Sequence, residues 1–145
     1  MKKVRDILRT KPDTEIFSIT PSTLVWDALK LMDQKRVGAL LVMENDELKG
    51  IFSERDYARK VVLMARSSKT AFVSEIMSTV VTCVDPDRSM EDCMELMTEK
   101  RIRHLPVIEE EKIIGVISIG DLVKNIIEDQ RNMIKQLEQY IRGEI

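Results

Sequence analysis

The sequence predicts an α+β fold made of two β-α-β-β-α repeats packed as a pseudo-twofold pair. Residues 19–57 and 84–122 align without a gap at an offset of 65, and 12 of the 39 aligned positions are identical. Chance at ordinary composition would give only about two or three identities. In both repeats, short apolar runs alternate with stretches of helical periodicity. Each half of a 145-residue chain is near the lower size limit for an independent core, which predicts one core shared by both halves.

Each half opens on a similar apolar segment, Val4–Leu8 in the first half and Val73–Met77 in the second. These segments align at an offset of 69, so the first half has four extra residues near Thr10–Glu15. The sequence Lys11-Pro12-Asp13 there predicts a loop. Short β-rich runs follow and end close to a proline, which predicts strands over Ile16–Ile19 and Val80–Val84.

A helix is predicted after each of these strands. Its N-cap is Ser22 or Thr23 in the first half and Asp87 or Ser89 in the second, because their side-chain oxygens can accept from free N–H groups. Apolar residues then recur with helical spacing at 25, 28, 29, 31 and 32, and at the equivalent positions 90, 93, 94, 96 and 97. The second set is rich in methionine, which is assigned to the core.

Two hairpins and two further helices complete the repeats. The predicted hairpin strands are Ala39–Met43 with Leu48–Phe52 and Leu105–Ile108 with Ile113–Ser118, each pair joined by a polar turn. Helices are expected to begin near Asp56 and near Asp121. The predicted domains are therefore 4–66 and 73–128, followed by a helical extension over 129–145.

The last helix has a longer apolar stripe than its counterpart in the first half, which breaks near Ser67-Ser68. From Leu122 the stripe follows positions 123, 126, 127, 130 (a glutamine), 133, 134, 137, 140 and 141. An overhanging amphipathic helix needs a surface that covers it. Packing on its own domain and a subunit interface are both open interpretations.

Composition and charge argue against several classes of protein. The 23 basic and 25 acidic residues give a net charge of -2, which creates no general attraction to nucleic acid or to an anionic membrane. No apolar run is long enough to span a bilayer or to act as a signal peptide, so the cytoplasm is the expected location. Cys83 and Cys93 are expected to be buried thiols without a disulfide. One histidine and two cysteines are too few for a zinc site, and no metal is expected.

Both repeats end in the same short motif, here named the phrase: Gly50-Ile-Phe-Ser53-Glu-Arg-Asp56 in the first and Gly115-Val-Ile-Ser118-Ile-Gly-Asp121 in the second. A strand ends there and a helix starts, and the glycine allows a neighbour or a ligand to approach closely. The serine hydroxyl and the free N–H groups of the helix suit an anion such as phosphate. The carboxylate suits the vicinal hydroxyls of a ribose. The same residues could also form a Ser-x-x-Asp capping box that needs no ligand.

Cations flank the two phrases differently. Arg103 and His104 precede a strand in the second half and point to opposite faces of the extended chain, so that one can meet a phosphate while the other packs. The first half has Gly38 and Ala39 at these positions, which leave room for a larger ligand, and supplies Arg55 within its phrase. His104 is either a phosphate contact or a satisfied, partly buried imidazole.

In order and in duplicate, these features resemble a tandem pair of CBS domains, the regulatory module first named for cystathionine β-synthase. The resemblance runs from Val4 to about Ile127 and includes the Arg103–Val107 strand and two Val/Ile-x-Pro turns. It implies two units packed sheet to sheet, with a cleft on each side. Members of this family bind AMP, ADP, ATP, S-adenosylmethionine or NAD there.

The resemblance also implies roles for residues. The serine would contact phosphate, the aspartate would hold the ribose, and the adenine would lie between strands against backbone groups. One cleft would use Arg103, His104, Leu105, Pro106, Ser118 and Asp121, with Thr20 from the other half. The other would use Gly38, Ala39, Leu40, Ser53, Arg55 and Asp56, with Asp85 as a further candidate. Asp85 replaces the hydroxyl of Thr20 with a negative charge, and Leu41 stands where the second half has Pro106, so the clefts are expected to differ.

The implied function is a non-catalytic sensor that binds an adenine nucleotide and transmits the bound state through packing of its halves, its subunits or a partner. AMP is the favoured ligand, with NAD, ATP and S-adenosylmethionine as alternatives. A homodimer and an unidentified regulated partner protein are expected. No phosphate loop, nucleophile–base pair or metal cluster is present in the sequence, so no catalytic residue is assigned. A structural interaction module, an enzyme acting on nucleotides and, from a basic patch at Arg55–Arg66, nucleic-acid binding are the competing interpretations.

Overall fold

The computed structural model describes residues 2–11 and 16–143, and the chain divides into two compact units. Residues 16–82 form one, here named the central unit. The described N-terminal residues, 2–11, join residues 83–143 in the other, here named the terminal unit. The predicted loop at Lys11-Pro12-Asp13 falls mainly outside the described residues.

The helices and strands recur in the two halves. The central unit contains all the elements between α1 and α5. In chain order the elements are α1 (Val4–Thr10), β1 (Ser18–Ile19), α2 (Val25–Lys35), β2 (Ala39–Glu44), β3 (Glu47–Ser53), α3 (Glu54–Asp56), a π-helix (Tyr57–Val62), α4 (Val73–Ile76), α5 (Met90–Lys100), β4 (His104–Glu109), β5 (Lys112–Ser118) and α6 (Ile119–Ile141).

The two sheets differ by one strand. In the central unit β1 pairs parallel to β2, and β2 pairs antiparallel to β3. In the terminal unit β4 pairs antiparallel to β5, and among the described residues Val84 alone adds a parallel bridge, to Val107. The prediction of a strand over Val80–Val84 is therefore wrong except at Val84.

A proline explains the shorter ladder of the terminal unit. In the central unit the N–H of Leu41 donates to the carbonyl of Phe17 at 3.2 Å. The equivalent residues are Pro106 and Thr82, and proline has no N–H to donate. The next hydrogen bond of the ladder does form: the N–H of Val84 donates to the carbonyl of Pro106 at 3.0 Å.

The two long helices of the repeats start differently. Ser89 caps α5, since its Oγ accepts the N–H of Asp92 at 3.1 Å, as predicted. Helix α2 begins after Leu24 and has no side-chain cap. The predicted cap at Ser22 or Thr23 is wrong, because the Thr23 hydroxyl accepts the N–H of Thr20 at 3.2 Å instead.

The opening segment of each sequence repeat packs in the unit built mainly from the other repeat. Helix α1 belongs to the terminal unit and α4 to the central unit. These segments pack closely against the glycine of each phrase. A Cβ on Gly115 would lie 2.8 Å from Cδ2 of Leu8, and a Cβ on Gly50 would lie 2.7 Å from the carbonyl oxygen of Ser78. These glycines permit close packing of a neighbouring segment, which was one of the two predicted roles.

The buried side chains form two clusters, one in each unit, and each cluster includes side chains from both sequence halves. One lies in the terminal unit and consists of Val4, Ile7, Val84, Met90, Cys93, Met97, Leu105, Val107, Ile117 and Leu122. The other lies in the central unit and consists of Val25, Ala28, Met32, Leu40, Val42, Phe52, Val61, Ala71, Val73 and Ile76. Met94 packs at the edge of the first cluster. One core common to the whole chain stays a prediction. Cys93 is buried and Cys83 half-buried, and no disulfide joins them.

Only the first part of helix α6 packs against the rest of the terminal unit. Leu122 and Asn125 are its buried residues, and every described residue from Gln130 onward is exposed. Lys2 contacts this first part of α6: its Nζ lies 2.9 Å from Oδ1 of Asn125 and 3.0 Å from a carboxylate oxygen of Asp129. Packing on its own domain therefore does not extend to the second half of the stripe.

Candidate functional site

Each chemical phrase lies where a strand passes directly into a helix. Ser53 ends β3 and pairs in register with Ala39, and Ser118 ends β5 and pairs with His104. The first helical N–H after each serine donates to the preceding strand: Glu54 to the carbonyl of Gly38 at 3.1 Å, and Ile119 to the carbonyl of Arg103 at 2.9 Å. The structure thus brings the start of the neighbouring strand next to the serine of each half.

Both phrases form complete capping boxes. The Ser53 and Ser118 hydroxyls accept the N–H of Asp56 and of Asp121, at 3.2 and 3.1 Å. The carboxylates return the contact by accepting the serine N–H, at 3.0 and 2.9 Å. The capping interpretation of the phrases is therefore correct as far as helix structure is concerned. A capping residue that is only partly buried can still contact a ligand, so the two carboxylates must be compared.

Asp121 meets a cation from the N-terminal segment. Lys11 Nζ lies 3.0 Å from Oδ2 of Asp121 and also donates to the carbonyl of Val116 at 2.7 Å. About a fifth of the Asp121 side chain remains exposed. A hydroxyl, a carboxylate, an amine and the start of the 23-residue helix α6 therefore meet in one place.

His104 lies beside this group and is neutral more readily than an ordinary histidine. Burial lowers the pKa of His104, and the nearby charges of Lys11 and Arg103 lower it further, while Asp121 acts in the opposite direction. Arg103 is exposed at the start of β4. The pair therefore divides as predicted, with one side chain solvated and the other partly packed.

Asp56 is more enclosed than Asp121. Its residue is only 6% exposed. Ser78 Oγ donates to its Oδ1 at 3.0 Å, and Lys60 Nζ lies 3.3 Å from the same oxygen. Lys60 also donates to the carbonyl of Ile76 at 3.1 Å. Arg55, the predicted cation, is exposed on α3.

Three predicted site residues are core residues by their side chains. Leu40, Leu105 and Pro106 are buried, so only their main chains can face a ligand. Thr20 follows β1, which runs parallel to β2, and so lies at the far end of β2 from Ala39 and Ser53. Asp85 has its Oδ1 hydrogen-bonded to the N–H of Asp87 at 2.9 Å. The assignment of Thr20 and Asp85 to the clefts stays a prediction.

The sequence analysis did not assign Lys11 or Ser78 to a site, and it placed Lys60 only in the basic patch at Arg55–Arg66. Lys60 follows Asp56 by four residues, a spacing that brings side chains together on a helix, so a search of the helical face would have found it. Lys11 and Ser78 reach their carboxylates only because α1 and α4 dock onto the sheets. No local sequence pattern predicts that these helices dock onto the sheets.

The described residues provide neither a metal-binding cluster nor a membrane-spanning helix. In residues 2–11 and 16–143, no group of three or more His, Cys, Asp or Glu side chains is placed to hold a metal ion. Over the same part of the chain, no helix combines the length and apolarity that a bilayer crossing requires.

Comparison with known proteins decides the family. The CBS domain profile matches residues 4–63 and again residues 73–128, which together make up most of the chain. The chain belongs to the CBS-domain family. The predicted fold, a pair of CBS repeats, is therefore confirmed, and so is the resemblance drawn from the two phrases.

Individual relatives share this organisation. The CBS domain-containing protein CBSX3, mitochondrial, of Arabidopsis thaliana is 38% identical over 97% of this chain and 72% of its own length. The structure of a protein with CBS domains from Burkholderia ambifaria MC40-6 is 54% identical with a TM-score of 0.86, covering 89% of this chain and 96% of that one. The crystal structure of CBSX2 in complex with AMP is 26% identical with a TM-score of 0.73, covering 90% and 99%.

Proposed function

We propose that this chain is a non-catalytic regulatory module that binds an adenine nucleotide, with AMP the favoured ligand and ATP, NAD and S-adenosylmethionine the alternatives. The observation that carries the proposal is the meeting of Ser118, Asp121, His104 and Lys11 at the start of α6. The AMP complex of CBSX2, a protein of the same fold, supports the choice of ligand class.

The chemistry of this group suits a nucleoside monophosphate. A phosphate placed at the start of α6 would meet the Ser118 hydroxyl, the cations Lys11 and Arg103 and the positive end of the helix dipole. A carboxylate such as Asp121 accepts two hydroxyl donors, which matches the vicinal hydroxyls of a ribose. Phosphate binding would also favour the charged form of His104, whose pKa is lowered in the free protein.

A structural module without a ligand is the competing function, and the two complete capping boxes favour it. The two functions differ in a simple measurement. Unfolding of the protein is followed with millimolar AMP, ATP, NAD or S-adenosylmethionine. A ligand present at 100 times its Kd should raise the free energy of unfolding by about 2.7 kcal/mol. No stabilisation by any of the four would contradict the sensor function and favour the structural one. Turnover of any of them would instead indicate an enzyme.

We also propose that the protein is a homodimer in which α6 pairs with α6 of a second copy. The far half of α6 exposes an apolar face, formed by Met133, Ile134, Leu137, Tyr140 and Ile141. Single chains rarely leave so continuous an apolar face in water. A second copy supplies an identical face and would bury both.

The charges on α6 fit an antiparallel pair. Arg131 and Glu138 are seven residues apart and therefore lie on one edge of the apolar face. Their midpoint falls beside Ile134, which is also the centre of the apolar stretch from Ile127 to Ile141. A twofold axis there places Arg131 of each copy opposite Glu138 of the other. Ligand state could then be transmitted along α6, since its first turn forms the site and its far half forms the interface.

A further inference from the structure

The two carboxylates of the repeated phrase differ in how much hydrogen-bonding capacity they have left. Asp56 receives four donors: the Ser53 N–H at 3.0 Å and the Ser53 hydroxyl at 3.1 Å on Oδ2, with the Ser78 hydroxyl at 3.0 Å and Lys60 Nζ at 3.3 Å on Oδ1. A carboxylate offers about four acceptor positions. Asp56 is thus saturated within its own unit, and a ribose hydroxyl would have to displace an existing donor.

The Asp121 carboxylate can accept further hydrogen bonds. Its two recorded donors, the Ser118 N–H at 2.9 Å and Lys11 Nζ at 3.0 Å, both reach Oδ2. Within the chain that the structure describes, no donor is recorded on Oδ1 of Asp121. The side chain is about a fifth exposed, against less than a tenth for Asp56. A ligand hydroxyl can therefore bind Asp121 without breaking a contact.

The difference between the halves comes from two sequence positions. Lys60 of the central unit corresponds to Asn125, whose Nδ2 donates to the main-chain oxygen of Asp121 and not to its carboxylate. Lys11 corresponds to Val80 when the opening segments are aligned at their offset of 69. Val80 is 91% exposed and brings no charge to Asp56. The terminal unit therefore has its cation on the docked N-terminal segment, and the central unit has it inside the helix that follows the phrase.

Lys11 is suited to contact a ligand as well as Asp121. An ammonium group has three N–H donors, and two of them are used by Asp121 and by the Val116 carbonyl. The Lys11 side chain is partly exposed, and its flexible stem lets the amine turn toward an incoming anion. By contrast Lys60 bridges Asp56 and the Ile76 carbonyl inside the capping group.

We infer that the ligand binds at Asp121 and not at Asp56, one per chain, and that Lys11 of the N-terminal segment is the residue that contacts its phosphate. The inference rests on the proposed nucleotide-binding function. The ligand hydroxyls take the open side of the Asp121 carboxylate, and the third Lys11 donor takes a phosphate oxygen. The Asp56 group is a structural cap that holds α4 against the central sheet.

Calorimetric titration with AMP and with adenosine, which lacks the phosphate, tests each part. The wild-type chain should bind one AMP. Asp121→Asn keeps the shape of the cap and should weaken both ligands about tenfold, because a charged acceptor is replaced by a neutral one. Lys11→Met should weaken AMP by about tenfold or more and leave adenosine within about twofold. Lys49→Met, which removes an exposed lysine paired with Glu47 in the central unit, is the matched control and should change neither affinity.

The structural role of Asp56 is tested by the same titrations. Asp56→Asn should lower the resistance to urea and leave AMP affinity within about twofold. Ser78→Ala removes a single donor from the same carboxylate and replaces Asp56→Asn if that variant does not fold. Three results would each overturn this inference and leave the proposed function standing. The first is two equivalent AMP sites per chain, and the second is AMP binding that survives Asp121→Asn but not Asp56→Asn. The third is an equal loss of AMP and adenosine affinity in Lys11→Met. A wild-type chain that binds neither compound would overturn this inference for AMP, and if ATP, NAD and S-adenosylmethionine also failed to bind it would overturn the proposed function as well.

Discussion

Ile51 and Ser78 exchange two main-chain hydrogen bonds of 2.9 Å each, and this bridge holds the segment after α4 against β3. Gly50 lies directly beside the bridge, where a Cβ would meet the Ser78 carbonyl oxygen at 2.7 Å and Met77 Sδ at 2.9 Å. The Ser78 oxygen accepts one of these bonds and the Ser78 N–H donates the other, so this main-chain segment cannot move aside cheaply. We expect Gly50→Ala to lower the free energy of unfolding by about 1–3 kcal/mol, as measured by urea denaturation.

Gly115→Ala is the matched control in the terminal unit. There the Cβ would meet Cδ2 of Leu8 at 2.8 Å, the far end of a flexible side chain. Leu8 can change rotamer, so the loss should be smaller than for Gly50→Ala. A larger loss for Gly115→Ala would contradict this account of the two glycines.

The turn of the second hairpin stores conformational strain. Glu110 and Glu111 have φ angles of 51° and 65°, in the left-handed region, which favours Asn and Gly over other residues. The first hairpin has Asn45 and Asp46 at the equivalent positions. We expect the double change Glu110→Asn and Glu111→Gly to raise the free energy of unfolding by about 1–2 kcal/mol in urea denaturation.

Removal of charge must be separated from relief of strain in that experiment. The double change Glu110→Gln and Glu111→Gln removes the same two charges and keeps side chains that disfavour positive φ. It should recover only a small part of the gain. Equal stabilisation by the two double variants would assign the effect to repulsion among the glutamates.

The lowered pKa of His104 makes stability depend on pH in a defined window. The folded protein disfavours the protonated imidazole, so the unfolded chain binds more protons between the folded pKa and the ordinary value of 6.5. The contribution of His104 is complete above pH 6.5 and is lost as the pH falls below it, with a slope of at most about 1.4 kcal/mol per pH unit. Lys11 and Arg103 reinforce the effect and Asp121 opposes it.

Urea denaturation at pH 7.5, 6.5 and 5.5 measures this dependence. The wild-type chain should lose stability over that range, and His104→Gln should lose less, because it has no imidazole to protonate. If AMP binds beside His104, its affinity should rise as the pH falls through the same window, since the phosphate favours the charged imidazole. Identical profiles for the wild type and His104→Gln would show that His104 is not the group responsible.

The repeat made most of the fold predictable, and tertiary docking explains what was not. The hairpins were readable because the apolar alternation and the polar turns recur at a constant offset. Cys83, the counterpart of Ser18 in β1, is not in a strand because Pro106, a residue on another strand, has no N–H to donate. Of the candidate site, local sequence pattern indicated Ser118 and Asp121. Lys11 was not indicated, because it reaches Asp121 only when α1 docks onto the sheet.

The proposed pairing of α6 is tested best through its charges. Arg131→Glu places like charges opposite each other at both ends of the antiparallel pair, and so does Glu138→Arg, so each should shift sedimentation from dimer to monomer. The double variant restores opposite charges and should restore the dimer. Lys135→Glu changes charge by the same amount on the side of α6 away from the apolar face and should leave the dimer intact. Leu137→Glu, which buries a carboxylate in the interface, should give a monomer at all concentrations tested. A wild-type chain that sediments as a monomer, or a double variant that fails to recover, would contradict antiparallel pairing through α6.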